Sequence, residues 1–202
     1  MKMTKYIRGC MLFAAFPLFL FPAQNVEKIS LKTAVRFNTV CAKCHEGECS
    51  GRLSYDSENQ MVRRHIRRYA GDKNLSKSDT EAFFSLLNHM KKECKLYMPD
   101  NGEGEPESLS RFALSSDKGY FFPLGLLKEG RYRIENKTKE NIRFKIEVLS
   151  DHFYHFLDKW VYSEGENETI EFTIDRSANT FLRIQSKMPL EIITLKICRS
   201  LI

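Results

Sequence analysis

The chain has 202 residues, with 32 Lys and Arg against 26 Asp and Glu, 42% hydrophobic residues and 29% charged residues. This balance excludes a wholly disordered chain, and ten Gly and six Pro exclude a collagen-like protein. The long apolar run at the N-terminus stands alone, which excludes a multispanning membrane protein. The length allows one medium domain or two small ones.

The N-terminal segment, residues 1–24, has the pattern of an export signal. Lys2, Lys5 and Arg8 precede an apolar stretch over residues 11–23. No clean small-x-small cleavage site ends that stretch, so the alternatives are a cleaved signal peptide and a retained N-terminal membrane anchor. We expect a periplasmic or otherwise exported protein, attached to a membrane only if the leader is retained. Cleavage would remove three cations from a chain of net charge +6, so we expect no nucleic-acid partner.

Residues 25–98 read as helical. In the clearest helix, about residues 58–70, five side chains share one arc and four arginines take the opposite side. The first set is Met61, Val62, His65, Ile66 and Tyr69, and the second is Arg63, Arg64, Arg67 and Arg68. Another helix is predicted from Ser78 to Cys94, because residues 78–81 have the capping-box pattern and apolar residues then recur at helical spacing.

Residues 99–114 are acidic and rich in turn formers, which predicts a linker. Residues 115–202 predict an antiparallel β-sandwich, because apolar and polar residues alternate along several short segments. These segments are 131–134, 142–148, 169–174 and 181–184, with a last apolar strand at 190–197. In the aromatic stretch 151–158, the i, i+3 spacing of His152 and His155 suggests a metal pair, but the aromatic density favours a packed corner.

The strongest chemical signal is Cys41-Ala42-Lys43-Cys44-His45. Two thiols at this spacing can add to the two vinyl groups of one haem, and the adjacent histidine then reaches the iron. An export signal supports this interpretation, because haem is attached outside the cytoplasm. The alternative is zinc held by this cluster together with Cys49, although two adjacent ligands make a tetrahedral site awkward.

On these residues, the segment from Val26 to Met98 resembles a small mono-haem cytochrome c domain. The resemblance implies a helical wrap around one covalently attached haem c, thioether bonds from Cys41 and Cys44, and His45 as the proximal iron ligand. The expected fold is therefore in two parts, an all-α cytochrome c-like haem domain at residues 25–98 followed by an all-β antiparallel sandwich at residues 115–202. The sequence departs from the usual pattern because its Met98-Pro99 pair follows the final helix.

The distal iron ligand is predicted to be His65, because an imidazole on an apolar helix face needs a partner. Met61, Met90 and Met98 are the alternatives. Arg63 and Arg64 could contact haem propionates, or dock a redox partner protein that is acidic. In an oxidising compartment Cys49 and Cys94 could form a disulfide, with Cys198 as a competitor for either thiol.

The expected function is single-electron transfer by an exported protein that is not an enzyme. One alternative is a haem-based ligand binder or sensor, and another is the haem subunit of a larger oxidoreductase. The sandwich would dock a protein or a polysaccharide, since its aromatics could stack on a sugar ring or simply form core. These aromatics are Phe153, Trp160 and Tyr162. Residues 127–134 and the closing strands resemble sugar-binding jelly-roll modules at the level of fold only.

Overall fold

The structure is a computed structural model that describes residues 29–46, 49, 60–70, 75–99, 109–165 and 167–200. The predicted leader and residues 100–108 of the predicted linker lie outside these ranges. The predictions of a signal peptide or anchor and of a linker therefore concern residues that the structure does not describe. Within the described ranges, the helices are too short or too polar to cross a membrane.

Among the described residues, seven strands form two antiparallel sheets packed as a β-sandwich. The strands are β1 (Gly119–Leu127), β2 (Gly130–Thr138), β3 (Ile142–Ser150), β4 (His155–Ser163), β5 (Glu168–Ile174), β6 (Ala178–Ser186) and β7 (Ile192–Arg199). The four-stranded sheet has the order β1-β6-β3-β4, and the three-stranded sheet has the order β5-β2-β7. The predicted sandwich is thereby confirmed.

The sandwich core follows from the period-two alternation of the strands. Ile134 of β2 and Ile146 of β3 are fully buried between the sheets, with Leu182 of β6 and Ile174 of β5 close to fully buried beside them. Their neighbours in sequence point to the opposite faces. Two strands were not predicted: β1 contains Pro123 and a register shift, and β4 begins within the aromatic stretch that was interpreted as a corner.

In the part of the chain that the structure describes, four α-helices and a π-helical turn precede the sandwich. Helix α1 (Leu31–Arg36) runs into the π-helical turn (Phe37–Cys41) and then into α2 (Ala42–His45). Helix α3 covers Gln60–Tyr69 and α4 covers Lys77–Glu93. The α4 capping box uses Ser76 and Asp79, two residues before the predicted position, because the Ser76 hydroxyl accepts from the Asp79 amide.

The expected all-α cytochrome c-like domain is wrong. The described chain is mostly β-sheet, and the core of its helices is not all-helical but includes residues of the sheet. The helices bury their apolar residues against the outer face of the four-stranded sheet, where Phe121, Leu149 and Phe181 join the helical core. Helical periodicity correctly predicted α3 and α4, but it does not reveal which surface covers their apolar faces.

Close contact between the helices and the sheet is visible at Gly119, the first residue of β1. A Cβ atom there would lie 2.6 Å from the Ile184 carbonyl oxygen and 3.1 Å from Thr39 Cγ2. A larger residue would therefore clash with the backbone of β6 and crowd Thr39 of the π-helical turn. At the end of the predicted linker, a 3₁₀ helix (Leu109–Phe112) packs Leu109 and Phe112 on the sandwich core.

Candidate cofactor site

The Cys41–His45 motif lies at the junction between the π-helical turn and α2. Ser30 caps α1 by accepting from the Thr33 amide at 3.1 Å, and the helix then continues through three buried residues, Thr33, Ala34 and Val35. In the π-helical turn the Ala42 amide donates to the Phe37 carbonyl, five residues back. Such a widened turn rotates the following residues, and π-helical turns are frequent at functional sites.

Directly beside the motif lies an apolar cavity of about 540 Å³. Its walls come from the motif, from α3 and from α4, and include Cys41, Cys44 and His45 from the motif. Helix α4 contributes Phe83, Phe84 and Leu87, whereas α3 contributes His65 and its apolar neighbours. The volume lies within the range of small-molecule and cofactor sites, and an apolar lining with a few polar groups is typical of them.

Helix α3 turns its whole predicted apolar arc toward this cavity. Only Ile66 is buried in protein, while Met61 is 74% exposed and Tyr69 is 54% exposed along the cavity wall. The His65 ring is exposed as well, and its centroid lies 4.7 Å from that of Tyr69. An apolar arc with this much accessible surface is suited to covering a flat apolar ligand, because burial of that surface stabilises the complex.

The two thiols of the motif are not taken up by the disulfide of the protein. Burial, followed by the neighbouring Cys44, raises the pKa of the Cys41 thiol to about 12, against a smaller opposing effect of Arg36. Cys41 and Cys44 are free, whereas Cys49 and Cys94 form a disulfide with Cα atoms 5.0 Å apart. Zinc binding requires deprotonated thiolates, and Cys49 is already engaged. The residues therefore fit thioether attachment of haem better than a zinc site.

The structure separates the candidates for the distal iron ligand. His65 and Met61 line the cavity together with His45. Met90 is 2% exposed within the helical core, and the Met98 sulfur accepts from Asn38 Nδ2 at 3.4 Å. Neither of these two methionines belongs to the described residues that line the cavity.

The four arginines of α3 lie on the side away from the cavity lining. Arg64, Arg67 and Arg68 are exposed and Arg63 is partly buried. The Arg68 guanidinium carbon lies 5.6 Å from the Tyr69 ring centroid, at the rim of the cavity. A cationic surface therefore borders the cavity, while Arg63 and Arg64 are not themselves among its lining residues.

Behind the motif, a buried ionic network links α2 to the sheet. Arg183 of β6 is fully buried, and its Nη1 lies 2.5 Å from Glu46 Oε1, at the end of the motif. Its Nε lies 2.7 Å from Glu147 Oε2 on β3, and Nη1 also donates to the Asn38 carbonyl at 3.3 Å. Sequence reasoning missed this network, because Glu147 and Arg183 occupy the polar positions of alternating strands, and such positions ordinarily face solvent.

The network continues to the edge strand β4. Lys145 Nζ lies 2.8 Å from Glu147 Oε1 and 2.8 Å from Asp158 Oδ1, and His155 Nε2 lies 3.1 Å from Glu46 Oε2. Burial alone would raise the pKa of Glu147, but hydrogen bonds and charge from Arg183, and then from Lys145, lower it to about 2.

The pKa of Glu46 follows the same balance. Burial would raise it, but the hydrogen bond from His155 and the Arg183 charge hold it below its ordinary value. His152, one of the two histidines whose spacing suggested a metal pair, instead donates from Nδ1 to the Cys94 carbonyl at 3.0 Å. Ligand atoms of Glu147, His155 and Asp158 lie close together, but Lys145 already bridges the two carboxylates.

The same outer face of the four-stranded sheet carries an exposed aromatic pair on β4. Trp160 is 46% exposed and Tyr162 is 58% exposed, and residues two apart on a strand face the same side. The Arg143 guanidinium carbon lies 4.8 Å from the Trp160 ring centroid. Phe153 instead packs against the helical core, so it does not join this pair.

Trp160 lies between two neighbouring depressions, which we call the aromatic groove. One, of about 560 Å³, is lined by Asn141, Arg143, Tyr162 and Met188 among others, and the second, of about 340 Å³, by Lys118 and Gln185. Trp160, Ser186 and Lys187 belong to both. The described residues that line the groove include three cations, Lys118, Arg143 and Lys187, and no carboxylate.

No protein-family model and no curated protein matches the chain. Among solved structures, a family 4 carbohydrate-binding module matches at 12% identity and a TM-score of 0.32, over 41% of this chain and 73% of that one. Two variants of a family 29 carbohydrate-binding module match at 16% and 15% identity with TM-scores of 0.29, over 41% of this chain and 61% of theirs. Scores this low assign neither a family nor a ligand to the chain.

Proposed function

We propose that this protein is an exported electron carrier in which Cys41 and Cys44 tether one haem c. The observation that carries the proposal is the apolar cavity, which brings the Cys41–His45 motif together with His65 although the two lie on different helices. Covalent attachment through two thiols three positions apart, followed by histidine, is the chemistry of c-type haem.

Each part of the cavity has a role in holding the group. His45 would bind the iron from the motif side and His65 from α3, while the thiols fix the porphyrin edge. Phe83, Phe84 and Leu87 of α4 line the cavity and would shield the bound group from water. Bound haem supplies a one-electron iron couple, and histidine on both sides generally gives a lower potential than histidine with methionine. No acid, base or nucleophile is required for this function.

Mass spectrometry and a pyridine haemochrome spectrum of the exported full-length protein test the proposal. We expect one haem per chain, stable to denaturation, in the wild type and in a Cys198→Ser control. The Cys41→Ala/Cys44→Ala variant should carry no covalent haem. A wild-type polypeptide without a porphyrin adduct, from cells that attach haem to another c-type protein, overturns the proposal.

A second candidate function, binding of a polysaccharide, is supported by the aromatic groove. The C–H face of a pyranose ring can stack on Trp160 or Tyr162, and Asn141 offers an amide group in the larger depression. Because the groove has three lining cations and no lining carboxylate among its described residues, we infer a carboxylated or sulfated polysaccharide.

Affinity electrophoresis of the full chain separates the alternatives for this groove. Polygalacturonate in the gel should retard the wild type at least several-fold more than a neutral β-glucan does. Trp160→Ala/Tyr162→Ala should abolish the retardation, whereas Leu126→Ala, which truncates an exposed side chain on β1, should retain it. Equal retardation by both polymers overturns the charge preference, and no retardation overturns the binding.

A further inference from the structure

Arg183 holds both ends of the chain segment that carries the Cys41–His45 motif. Its Nη1 donates to the Asn38 carbonyl at 3.3 Å, before the motif, and lies 2.5 Å from Glu46 Oε1, after the motif. The guanidinium is fully buried and belongs to β6, which is more than 130 residues downstream. One side chain of the sandwich thus spans the haem-attachment segment.

The π-helical turn makes this contact available. A carbonyl in a regular α-helix accepts from the amide four residues later, but here the ladder is shifted and the sheet supplies additional donors. Beside Arg183, the Gln185 amide donates to the Thr39 carbonyl, and Lys43 Nζ donates to Gln185 Oε1 at 3.3 Å. Arg183 and Gln185 lie two residues apart on β6, so their side chains face the same side of the sheet.

The charges of this network balance within the protein. Arg183 faces the carboxylates of Glu46 and Glu147, and Glu147 also accepts from Lys145 at 2.8 Å. A buried guanidinium is tolerated only when it is paired and hydrogen-bonded, so loss of one partner leaves an uncompensated charge. The planar guanidinium of Arg183 donates to three acceptors at once, whereas the ammonium group of a lysine at this position cannot reach all three.

We propose that Arg183 is the positioning residue of the haem-attachment segment, so that the sandwich is a structural part of the redox site rather than an appended module. This inference rests on the proposed function for its redox consequence. It assigns Glu46, the residue that follows the iron-binding His45, as a fixed negative charge whose orientation Arg183 sets. His155, at 3.1 Å, holds the second oxygen of the same carboxylate.

Hydrogen exchange on the exported full-length protein tests the positioning role without reference to redox chemistry. In Arg183→Met, the amides of residues 37–46 should exchange about tenfold faster or more, and Arg183→Lys should fall between this variant and the wild type. Arg131→Met, which removes an exposed arginine from the other sheet, should leave the segment unchanged. Wild-type exchange in both Arg183 variants overturns the proposal. If Arg183→Met does not fold, Arg183→Lys and Glu46→Gln decide it.

The midpoint potential supplies a second readout that a purely structural role would not move. Glu46→Gln keeps the shape but removes a negative charge, so reduction should become easier and the potential should rise. Arg183→Lys keeps the charge and should shift the potential less than Glu46→Gln does. An unchanged potential in Glu46→Gln overturns the assignment of Glu46. A wild type without haem would defeat the proposed function alone, because the exchange measurement would still decide the role of Arg183.

Discussion

Asn38 Nδ2 donates to the Met98 sulfur at 3.4 Å, and also to the Tyr97 carbonyl at 2.9 Å. The thioether of Met98, in the Met-Pro pair that follows the final helix, is therefore engaged by the π-helical turn. Because His65 lines the cavity and Met98 does not, we predict that Met98→Leu leaves the ferric and ferrous haem spectra unchanged. His65→Ala should alter both spectra and allow the ferrous protein to bind carbon monoxide rapidly.

Carbon monoxide binding by the wild type is the contrary result. Rapid binding by the native ferrous protein would mean that His65 is not a strong ligand, and would favour a ligand binder or sensor over an electron carrier. Met61→Leu provides the neighbouring control, because Met61 lines the same cavity one turn earlier on α3. A spectrum that changes only in Met61→Leu would assign the iron ligand to that methionine.

Acid should destabilise the protein through the network of Arg183. The pKa of Glu147 in the folded protein is about 2, against an ordinary value of 4.5, because Arg183 and Lys145 outweigh its burial. A lowered pKa contributes stability that is complete above pH 4.5 and is lost as the pH falls toward 2. The shift corresponds to roughly 3 kcal/mol. Denaturant unfolding at pH 7, 4 and 3 measures it.

Glu147→Gln distinguishes this source of pH dependence from a general acid effect. The variant should be less stable at pH 7 by roughly 3 kcal/mol, since a buried guanidinium loses a charged partner, and its stability should change less between pH 4.5 and 2. Glu135→Gln changes a half-exposed carboxylate on the three-stranded sheet and should keep the wild-type profile. Parallel profiles for all three proteins would contradict the assignment to Glu147.

The Cys49–Cys94 disulfide joins the chain after α2 to the end of α4. Closing a loop of 45 residues should stabilise the folded protein by about 4 kcal/mol in the chain-entropy treatment. We predict that Cys49→Ala/Cys94→Ala lowers the free energy of unfolding by about this amount, while Cys198→Ser has little effect. A stability loss in Cys198→Ser as large as in the double variant would indicate a different pairing.

The sequence predicts some strands of the sandwich and fails to predict others. Strands β3 and β5 were recognised because residues such as Phe144 and Phe172 alternate cleanly with polar neighbours. Strand β1 was missed because Tyr120, Phe121 and Phe122 are buried on both faces, and a continuous apolar run carries no period. The outer partner of Phe121 is the helical core, which local patterning cannot indicate.

The candidate site likewise has a part that the sequence indicates and a part that it does not. The spacing of Cys41, Cys44 and His45 carries its own chemical meaning, and the arc of α3 pointed to His65 before the cavity was known. Arg183 and Glu46 lie 137 residues apart, and nothing in local sequence pairs them. Tertiary packing alone brings a strand arginine to the end of a helix, so sequence reasoning singled out the motif and His65 but missed the ionic network behind them.

The exposed arginines of α3 should control the electrostatics of electron transfer. Arg64 and Arg67 are exposed on α3, on the side away from its cavity lining, and their field should still attract a negatively charged reagent to this end of the protein. We predict that Arg64→Gln/Arg67→Gln slows oxidation by ferricyanide several-fold at low ionic strength and speeds reduction by hexaammineruthenium. Stopped-flow rates should converge at high salt, because screening shortens the range of the field. Arg131→Gln changes the net charge by one unit on the opposite sheet, and an equal effect from that variant would contradict a local docking surface.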